Sequence, residues 1–378
     1  MPWQTPLRLT ASISIGAALA MHAAGGTTEP GSTMLCSVSA TEPEDGTAAA
    51  ALHPAVALAR NLSAPPPRSQ QGGEYEDGEW WDTHEAQLGA ARAAWGAKHS
   101  ALYAFDADFE ERYIEPGWRA AVAAAYGAAE RGDGVGLRAA EGAIQMDLAQ
   151  PAATARGVRT LTLFTPAFCA DLLGELDHWE ASGIPLRRPN GMNRYGAALD
   201  ALGMGAALHG LVEAYVRPVA QLLFPSSATD ADFAEHHGFV VRYKEGGDVS
   251  LAEHADASTI TLNVGLGRGN FTGGAVHFGR VRRFGSGGGG YDGDVDDDVE
   301  GGDVAFEGSR PGDAVLHRGQ HLHAATALTS GERVNLVLWT FGSEGVVRVV
   351  PYKSHEQSTP ETRWARRQST QESPWNLP

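Results

Sequence analysis

The second half of the chain is a series of short segments in which apolar and polar residues alternate, and this pattern limits the fold more than any other feature. FVVRYKEGG places Phe239, Val241 and Tyr243 on one face of an extended segment, and ITLNVGL alternates in the same way. GGAVHFG, DAVLHRG and ERVNLVLWTF follow, separated by glycine-rich turns. Short strands after a helical first half predict a mainly β domain, a β-sandwich or jelly roll with helices packed outside it.

The first half of the chain has a different composition. An apolar stretch at the N-terminus is typical of a signal peptide or anchor, with a transit peptide or a disordered tail as the alternatives. A segment rich in Ala, Gly, Pro and Ser predicts disorder, and the Ala-rich segment after it has helical spacing. The predicted regions are a signal peptide or anchor at 1–25, a low-complexity segment at 26–83, a helical region at 84–155, the β domain at 156–345 and a C-terminal tail at 346–378.

The expected subcellular location depends on the same N-terminal stretch. A signal peptide predicts the secretory pathway or endoplasmic reticulum, and another organelle or the cytoplasm is the alternative. Since no later run reaches about 18 apolar residues, we expect membrane contact only through the N-terminus.

The charge limits the partners. The chain has 46 acidic and 29 basic residues and a formal net charge of −17, so a nucleic-acid partner is not expected. Much of the acidic excess lies in a Gly- and Asp-rich insert at 285–303. Compared with the twelve-residue loop that binds calcium, the insert has Asp297 where the turn of that loop needs glycine and Asp303 where a bidentate Glu belongs. These departures favour a solvated acidic loop.

His254 and Asp256 stand two residues apart in EHADASTITLNVGLG. On a strand, such residues project to the same face, so an imidazole nitrogen and a carboxylate oxygen can bind one metal ion. A distant second histidine would complete the two-histidine, one-carboxylate set typical of non-haem Fe(II). With 14 His in 378 residues, roughly one His-x-Asp triplet is expected by chance, so the motif needs support from another part of the sequence.

That support comes from LHRGQHLHAATALTSGERVNLVLW, where His323 and Arg333 are ten residues apart with a turn between them. A strand, a tight turn and a returning strand would bring both side chains onto neighbouring strands. A guanidinium group beside a metal suits the terminal carboxylate of a cosubstrate. His321 is the alternative third ligand, but it lacks the ten-residue spacing to Arg333.

These motifs resemble the catalytic domain of Fe(II)- and 2-oxoglutarate-dependent oxygenases of the prolyl/lysyl hydroxylase type. RYKEGGDVSLAEHADASTITLNVGL is similar to a stretch of lysyl hydroxylases, and the resemblance covers about residues 156–342. Ala327 departs from the family pattern, in which a proline is common after the distal histidine. The resemblance implies a double-stranded β-helix, iron bound by His254, Asp256 and His323, and 2-oxoglutarate held by Arg333, with Tyr243 and Asn263 as further candidate contacts.

The resemblance also implies the chemistry. It implies an enzyme that uses O₂ and 2-oxoglutarate to hydroxylate a C–H bond on a protein or peptide, at a Lys or Pro side chain, with release of succinate and CO₂ and with L-ascorbate as a helper. A non-catalytic jelly-roll binding module that keeps the metal site is the main alternative. Nucleic-acid demethylation is a second alternative, and the acidic net charge argues against it. Zinc hydrolysis is a third, and the spacing of His323 and Arg333 argues against it.

Overall fold

The structure is a computed structural model that describes residues 52–64, 78–144, 158–190, 192–224, 228, 233–256, 258–267, 271–281, 304–308, 310–319, 321–341, 347–348 and 357–358. The predicted signal peptide or anchor at 1–25 and the acidic insert at 285–303 lie outside the described residues, as does most of the predicted tail at 346–378. Among the described residues, no helix has the length and apolar character needed to cross a membrane.

The helices of the described part of the chain are α1 (Pro54–Arg60), α2 (Gly78–Trp95), α3 (Ala107–Tyr113), α4 (Pro116–Glu130), α5 (Gly134–Ile144), α6 (Pro166–Ser182), α7 (Gly205–Leu211) and α8 (Arg217–Leu223). Short 3-10 turns lie at Ser100–Leu102 and Asp200–Leu202, and a π-helical turn, Val212–Val216, joins α7 to α8. The sequence marks α6 clearly at both ends. Thr165 caps its first turn by accepting from the Phe168 amide, and Gly183 ends it at φ 67°.

Helix α1 departs from the disorder predicted for residues 26–83. His53 caps the helix, Val56 and Ala59 are buried, and the Arg60 guanidinium donates to the Ser182 carbonyl at the end of α6. Composition could not show this helix, because seven residues without partners are too short to be stable and only tertiary contacts hold them.

The strands are β1 (Val158–Thr162), β2 (Gly196–Ala198), β3 (Glu235–Lys244), β4 (Leu251–His254), β5 (Ile260–Gly265), β6 (Thr272–Gly273), β7 (Val276–Val281), β8 (Val304–Phe306), β9 (Asp313–Arg318), β10 (His321–Ala325), β11 (Leu328–Ser330), β12 (Glu332–Phe341), β13 (Val347–Arg348) and β14 (Gln357–Ser358). Six form one antiparallel sheet in the order β1-β9-β5-β12-β3-β2, and four form a second in the order β4-β10-β7-β8. From β3 onward the chain passes repeatedly between the two sheets, with β3, β5, β9 and β12 in the larger one and β4, β7, β8 and β10 in the smaller one, as in a double-stranded β-helix. The predicted fold class is confirmed.

The two faces of the six-stranded sheet have different partners. Ile260, Leu262 and Val264 of β5 belong to the large core that this sheet shares with the helices. Phe239, Val241 and Tyr243 of β3 point the other way and form a cluster with Val337 of β12 and with Ala325 of the four-stranded sheet. The alternating segments of β3 and β5 therefore bury their apolar residues on opposite faces of the same sheet.

A polar zone separates two small apolar clusters inside the β-helix. One cluster is Val158, Val276, Phe278, Phe306 and Val315, and the other is the group around Phe239 and Tyr243. Between them the inner face of the large sheet carries polar side chains, which are Thr261, Asn263, His317, Arg333 and Asn335. Burying polar side chains costs free energy unless they are hydrogen-bonded. A group of them in an apolar interior is therefore where a ligand-binding site is expected.

Candidate active site

Strands β4 and β10 bring the three predicted metal ligands together. His254 and His323 are direct partners in the register of these strands, and Asp256 follows β4 by two residues. His254 Nε2 and His323 Nε2 each lie 3.5 Å from Asp256 Oδ1. One ligand atom from each residue lies within 4.8 Å of the others, and all three residues are buried.

Backbone carbonyls fix which nitrogen of each histidine is free. His254 Nδ1 donates to the Ala252 carbonyl and His323 Nδ1 donates to the His321 carbonyl, both at 2.8 Å. Each Nε2 therefore keeps its lone pair and faces the carboxylate. Two imidazole nitrogens and one carboxylate oxygen on one side of an open position fit a divalent iron ion well.

The Asp256 carboxylate is held by its other oxygen. Thr261 Oγ1 donates to Asp256 Oδ2 at 2.7 Å, and Ser258 Oγ lies 2.7 Å from the same threonine hydroxyl. The Asp256 amide donates to the Gly319 carbonyl at 2.8 Å. A Cβ atom at residue 319 would lie 1.9 Å from the Ser258 carbonyl oxygen, so only glycine lets the two loops approach this closely. Oδ1 is thereby left to face the imidazoles.

His317 is a neighbour of the cluster that the sequence interpretation missed. It is fully buried on β9, directly opposite Thr261, and its Nε2 lies 3.7 Å from Asp256 Oδ2. The alternation of apolar and polar residues in DAVLHRG predicts that the His317 side chain points to the inner face, but it does not predict what the side chain does there. His321 lies outside the metal cluster of the described residues, and its Nε2 bonds to the Gly279 carbonyl.

The protonation states suit a metal cation. Burial alone would raise the pKa of Asp256, but the imidazoles of His323 and His254 hold it well below its usual range. Burial lowers the pKa of His323 and lowers that of His317 to about 3. For His254 the nearby Asp256 outweighs burial and raises the pKa. The ionised carboxylate and the unprotonated His323 Nε2 are the forms that bind metal, and a metal ion would replace the proton that Asp256 favours on His254 Nε2.

Arg333 and Tyr243 form a second group of donors in the same interior. They are direct partners in the register of β12 and β3, and Arg333 is only 1% exposed. Its Nη1 donates to the Gly274 carbonyl, while its Nε and Nη2 have no hydrogen-bond partner in the part of the chain that the structure describes. Burial lowers its pKa to about 10, so the group still carries its charge at neutral pH. A buried cation with unused N–H groups fits the carboxylate of an anionic ligand.

Asn263 lies on the inner face of β5. Its Oδ1 accepts from Asn335 Nδ2 at 2.6 Å, and Asn335 Oδ1 has no partner within the described ranges. The structure thus places Asn263 beside the polar zone, and its contact with a cosubstrate stays a prediction.

A double-stranded β-helix with a two-histidine, one-carboxylate cluster and a buried arginine is characteristic of Fe(II)- and 2-oxoglutarate-dependent oxygenases. Residues 93–229 match the family model of the OGFOD2-like domain. This match crosses residue 155, where the sequence placed a domain boundary, and it includes none of the six predicted site residues.

Curated relatives agree with the predicted resemblance, which is confirmed. The chain is 41% identical over 188 residues to 2-oxoglutarate and iron-dependent oxygenase domain-containing protein ICU11 of Arabidopsis thaliana, covering 48% of this chain and 45% of that protein. It is 40% identical over 178 residues to 2-oxoglutarate and iron-dependent oxygenase domain-containing protein 2 of Homo sapiens, covering 47% of each. It is 28% identical over 187 residues to procollagen-lysine,2-oxoglutarate 5-dioxygenase 1 of Mus musculus, covering 45% of this chain and 22% of that protein. The chain spans about half the length of the first two relatives.

Proposed function

We propose that the protein is an Fe(II)- and 2-oxoglutarate-dependent dioxygenase that hydroxylates a C–H bond. The observation that carries this proposal is the buried Arg333, whose Nε and Nη2 lack partners among the described residues and which lies on the sheet that faces the one carrying His254 and His323. A metal cluster alone would also fit a binding module. A charged group that is buried with no counter-ion among the residues described implies that an anionic ligand completes the site.

Each residue has a defined task in this proposal. His254, Asp256 and His323 would hold Fe(II), and Arg333 with Tyr243 would orient the distal carboxylate of 2-oxoglutarate. When bound, iron and 2-oxoglutarate supply the activation of O₂, coupled to decarboxylation of the cosubstrate to succinate and CO₂, that hydroxylation requires. The apolar clusters on either side exclude water from this zone.

The substrate proposed is a Lys or Pro side chain of a protein or peptide. The name of the mouse relative, which includes procollagen-lysine, and the similarity of the RYKEGG segment to lysyl hydroxylases support this choice. L-Ascorbate is proposed as the reductant that restores Fe(II) after turnover without substrate.

The test is anaerobic addition of Fe(II) and 2-oxoglutarate to the purified protein, followed by visible absorption spectroscopy. We expect an iron-to-cosubstrate charge-transfer band that is lost in His254→Ala and weakened in Arg333→Ala. His236→Ala, which removes a buried histidine outside the cluster, should keep the band. A folded wild-type protein without the band would refute the proposal, and a band without succinate production in air, tested with peptides containing Lys or Pro, would favour the binding module.

A further inference from the structure

Asn193 reaches the candidate cosubstrate site from outside both sheets. It lies in the RPNGMNR segment between α6 and β2, and it is only 1% exposed. Its Nδ2 donates to the hydroxyl oxygen of Tyr243 at 3.2 Å. Asn193 belongs to the region that matches the OGFOD2-like domain, so that region contributes to the site through this contact.

The local turn fixes the orientation of the Asn193 carboxamide. Asn190 Oδ1 accepts from the amides of Met192 and Asn193, at 2.9 and 2.7 Å. Asn190 Nδ2 then donates to Asn193 Oδ1 at 3.0 Å. Because Oδ1 of Asn193 is already an acceptor, its Nδ2 is the group that faces Tyr243.

This orientation decides what the Tyr243 hydroxyl can do. A phenol has one proton to donate and two lone pairs. Asn193 uses a lone pair, so the proton is not spent on Asn193 and remains available to another acceptor. Burial raises the pKa of Tyr243, which keeps that proton in place. Directly opposite in the strand register stands Arg333, whose Nε and Nη2 lack acceptors among the described residues.

We propose that Asn193 is a positioning residue for 2-oxoglutarate, because it fixes Tyr243 as a hydrogen-bond donor to the carboxylate that Arg333 pairs with. This inference rests on the proposed function. It adds a residue that lies outside the β-helix and has no metal-binding chemistry of its own.

The experiment is calorimetric titration of 2-oxoglutarate into the Mn(II)-loaded protein, with a double-mutant cycle between Asn193 and Tyr243. Asn193→Leu has a similar size but cannot donate, so we expect the Kd for 2-oxoglutarate to rise about 3- to 10-fold, the value of one neutral hydrogen bond. In the Tyr243→Phe background the same change should have no effect, because the hydroxyl through which it acts is absent.

Asn193→Asp is a second variant, in case the leucine variant does not fold. Its side chain only accepts, so the Tyr243 proton should turn toward it, and the Kd should rise at least about 10-fold. Part of this rise should be lost in the Tyr243→Phe background. Tyr195→Phe, which removes the hydroxyl of an exposed neighbouring tyrosine, is the matched control and should bind as the wild type does.

The outcomes separate this inference from the function on which it rests. If the wild type does not bind 2-oxoglutarate, the proposed function fails and the role of Asn193 fails with it. If the wild type binds and folded Asn193 variants bind equally well, only the role of Asn193 is wrong. The same holds if their losses are undiminished without the Tyr243 hydroxyl, since Asn193 would then act by another route.

Discussion

Replacing Arg333 with methionine should stabilise the ligand-free protein while it removes binding of 2-oxoglutarate. Burial lowers the pKa of Arg333 from 12.5 to about 10. Since each pKa unit corresponds to about 1.4 kcal/mol, burying this charge costs the folded state about 3 kcal/mol. The sign follows because the folded pKa is below the unfolded one, so the cost is fully present below pH 10 and therefore at neutral pH.

Methionine has a similar length and no charge, so it removes that cost. It also removes the hydrogen bond to the Gly274 carbonyl, which is worth about 1 kcal/mol. The free energy of unfolding should therefore increase by about 2 kcal/mol and the Tm by about 4–8 °C, as measured by urea titration and thermal unfolding. Excess 2-oxoglutarate should raise the Tm of the metal-loaded wild type and leave that of the variant unchanged.

Arg242→Met is the matched control. Arg242 is also buried, but its guanidinium lies within 4 Å of three carboxylates, those of Asp177, Glu180 and Glu332. Its loss leaves carboxylates without their counter-ion and should destabilise the protein. If Arg333→Met destabilised the protein as much as Arg242→Met does, the guanidinium would be a satisfied structural group and the argument for an anion site would be wrong.

The remaining predictions concern the metal loop, a thiol and a buried histidine. Gly319→Ala should weaken Mn(II) binding about 10- to 100-fold in a calorimetric titration, because a Cβ there collides with the Ser258 carbonyl and displaces the loop of Asp256; unchanged affinity would contradict this. Burial raises the pKa of Cys169 to about 12, so native protein at pH 8 should leave this thiol unalkylated by iodoacetamide in peptide mapping, and full labelling before unfolding would count against it. Burial lowers the pKa of His236 to about 4, so up to about 3 kcal/mol of stability, present above pH 6.5, is lost as the pH falls to 4. His236→Gln should flatten that part of the pH–stability curve, and an equally steep curve would show that other groups cause it.

The parts of the site that could be predicted from the sequence are those with a local spacing. The two-residue step from His254 to Asp256 and the ten-residue step from His323 to Arg333 both mark residues of the candidate site. The neighbouring strands predicted for His323 and Arg333 are wrong, because His323 lies on β10 of the four-stranded sheet and Arg333 on β12 of the six-stranded sheet. Asp256 lies two residues beyond the end of β4 and not on the strand itself. The alternation of Phe239, Val241 and Tyr243 likewise predicted a strand with one apolar face, and the β-helix is confirmed.

The parts that could not be predicted depend on which strands become neighbours. Thr261 and His317 reach the same carboxylate because β5 pairs with β9, and nothing near either residue indicates that pairing. Asn193 meets Tyr243 only because its turn folds back onto the interior. Helix α1 similarly depends on a contact with the end of α6, which composition does not reveal.

The way the strands pair has a consequence for the stage of folding at which the candidate site becomes complete. His254 and His323 belong to one sheet, whereas Tyr243 and Arg333 are partners in the other, and each pair joins residues far apart in sequence. Contacts between residues far apart in sequence slow folding, because a long loop must close before such a contact can form. A nascent or half-folded chain therefore has neither the metal cluster nor the anion site complete. Under the proposed function, redox chemistry at this centre would be confined to molecules that have finished folding, and an incompletely folded chain would not oxidise itself.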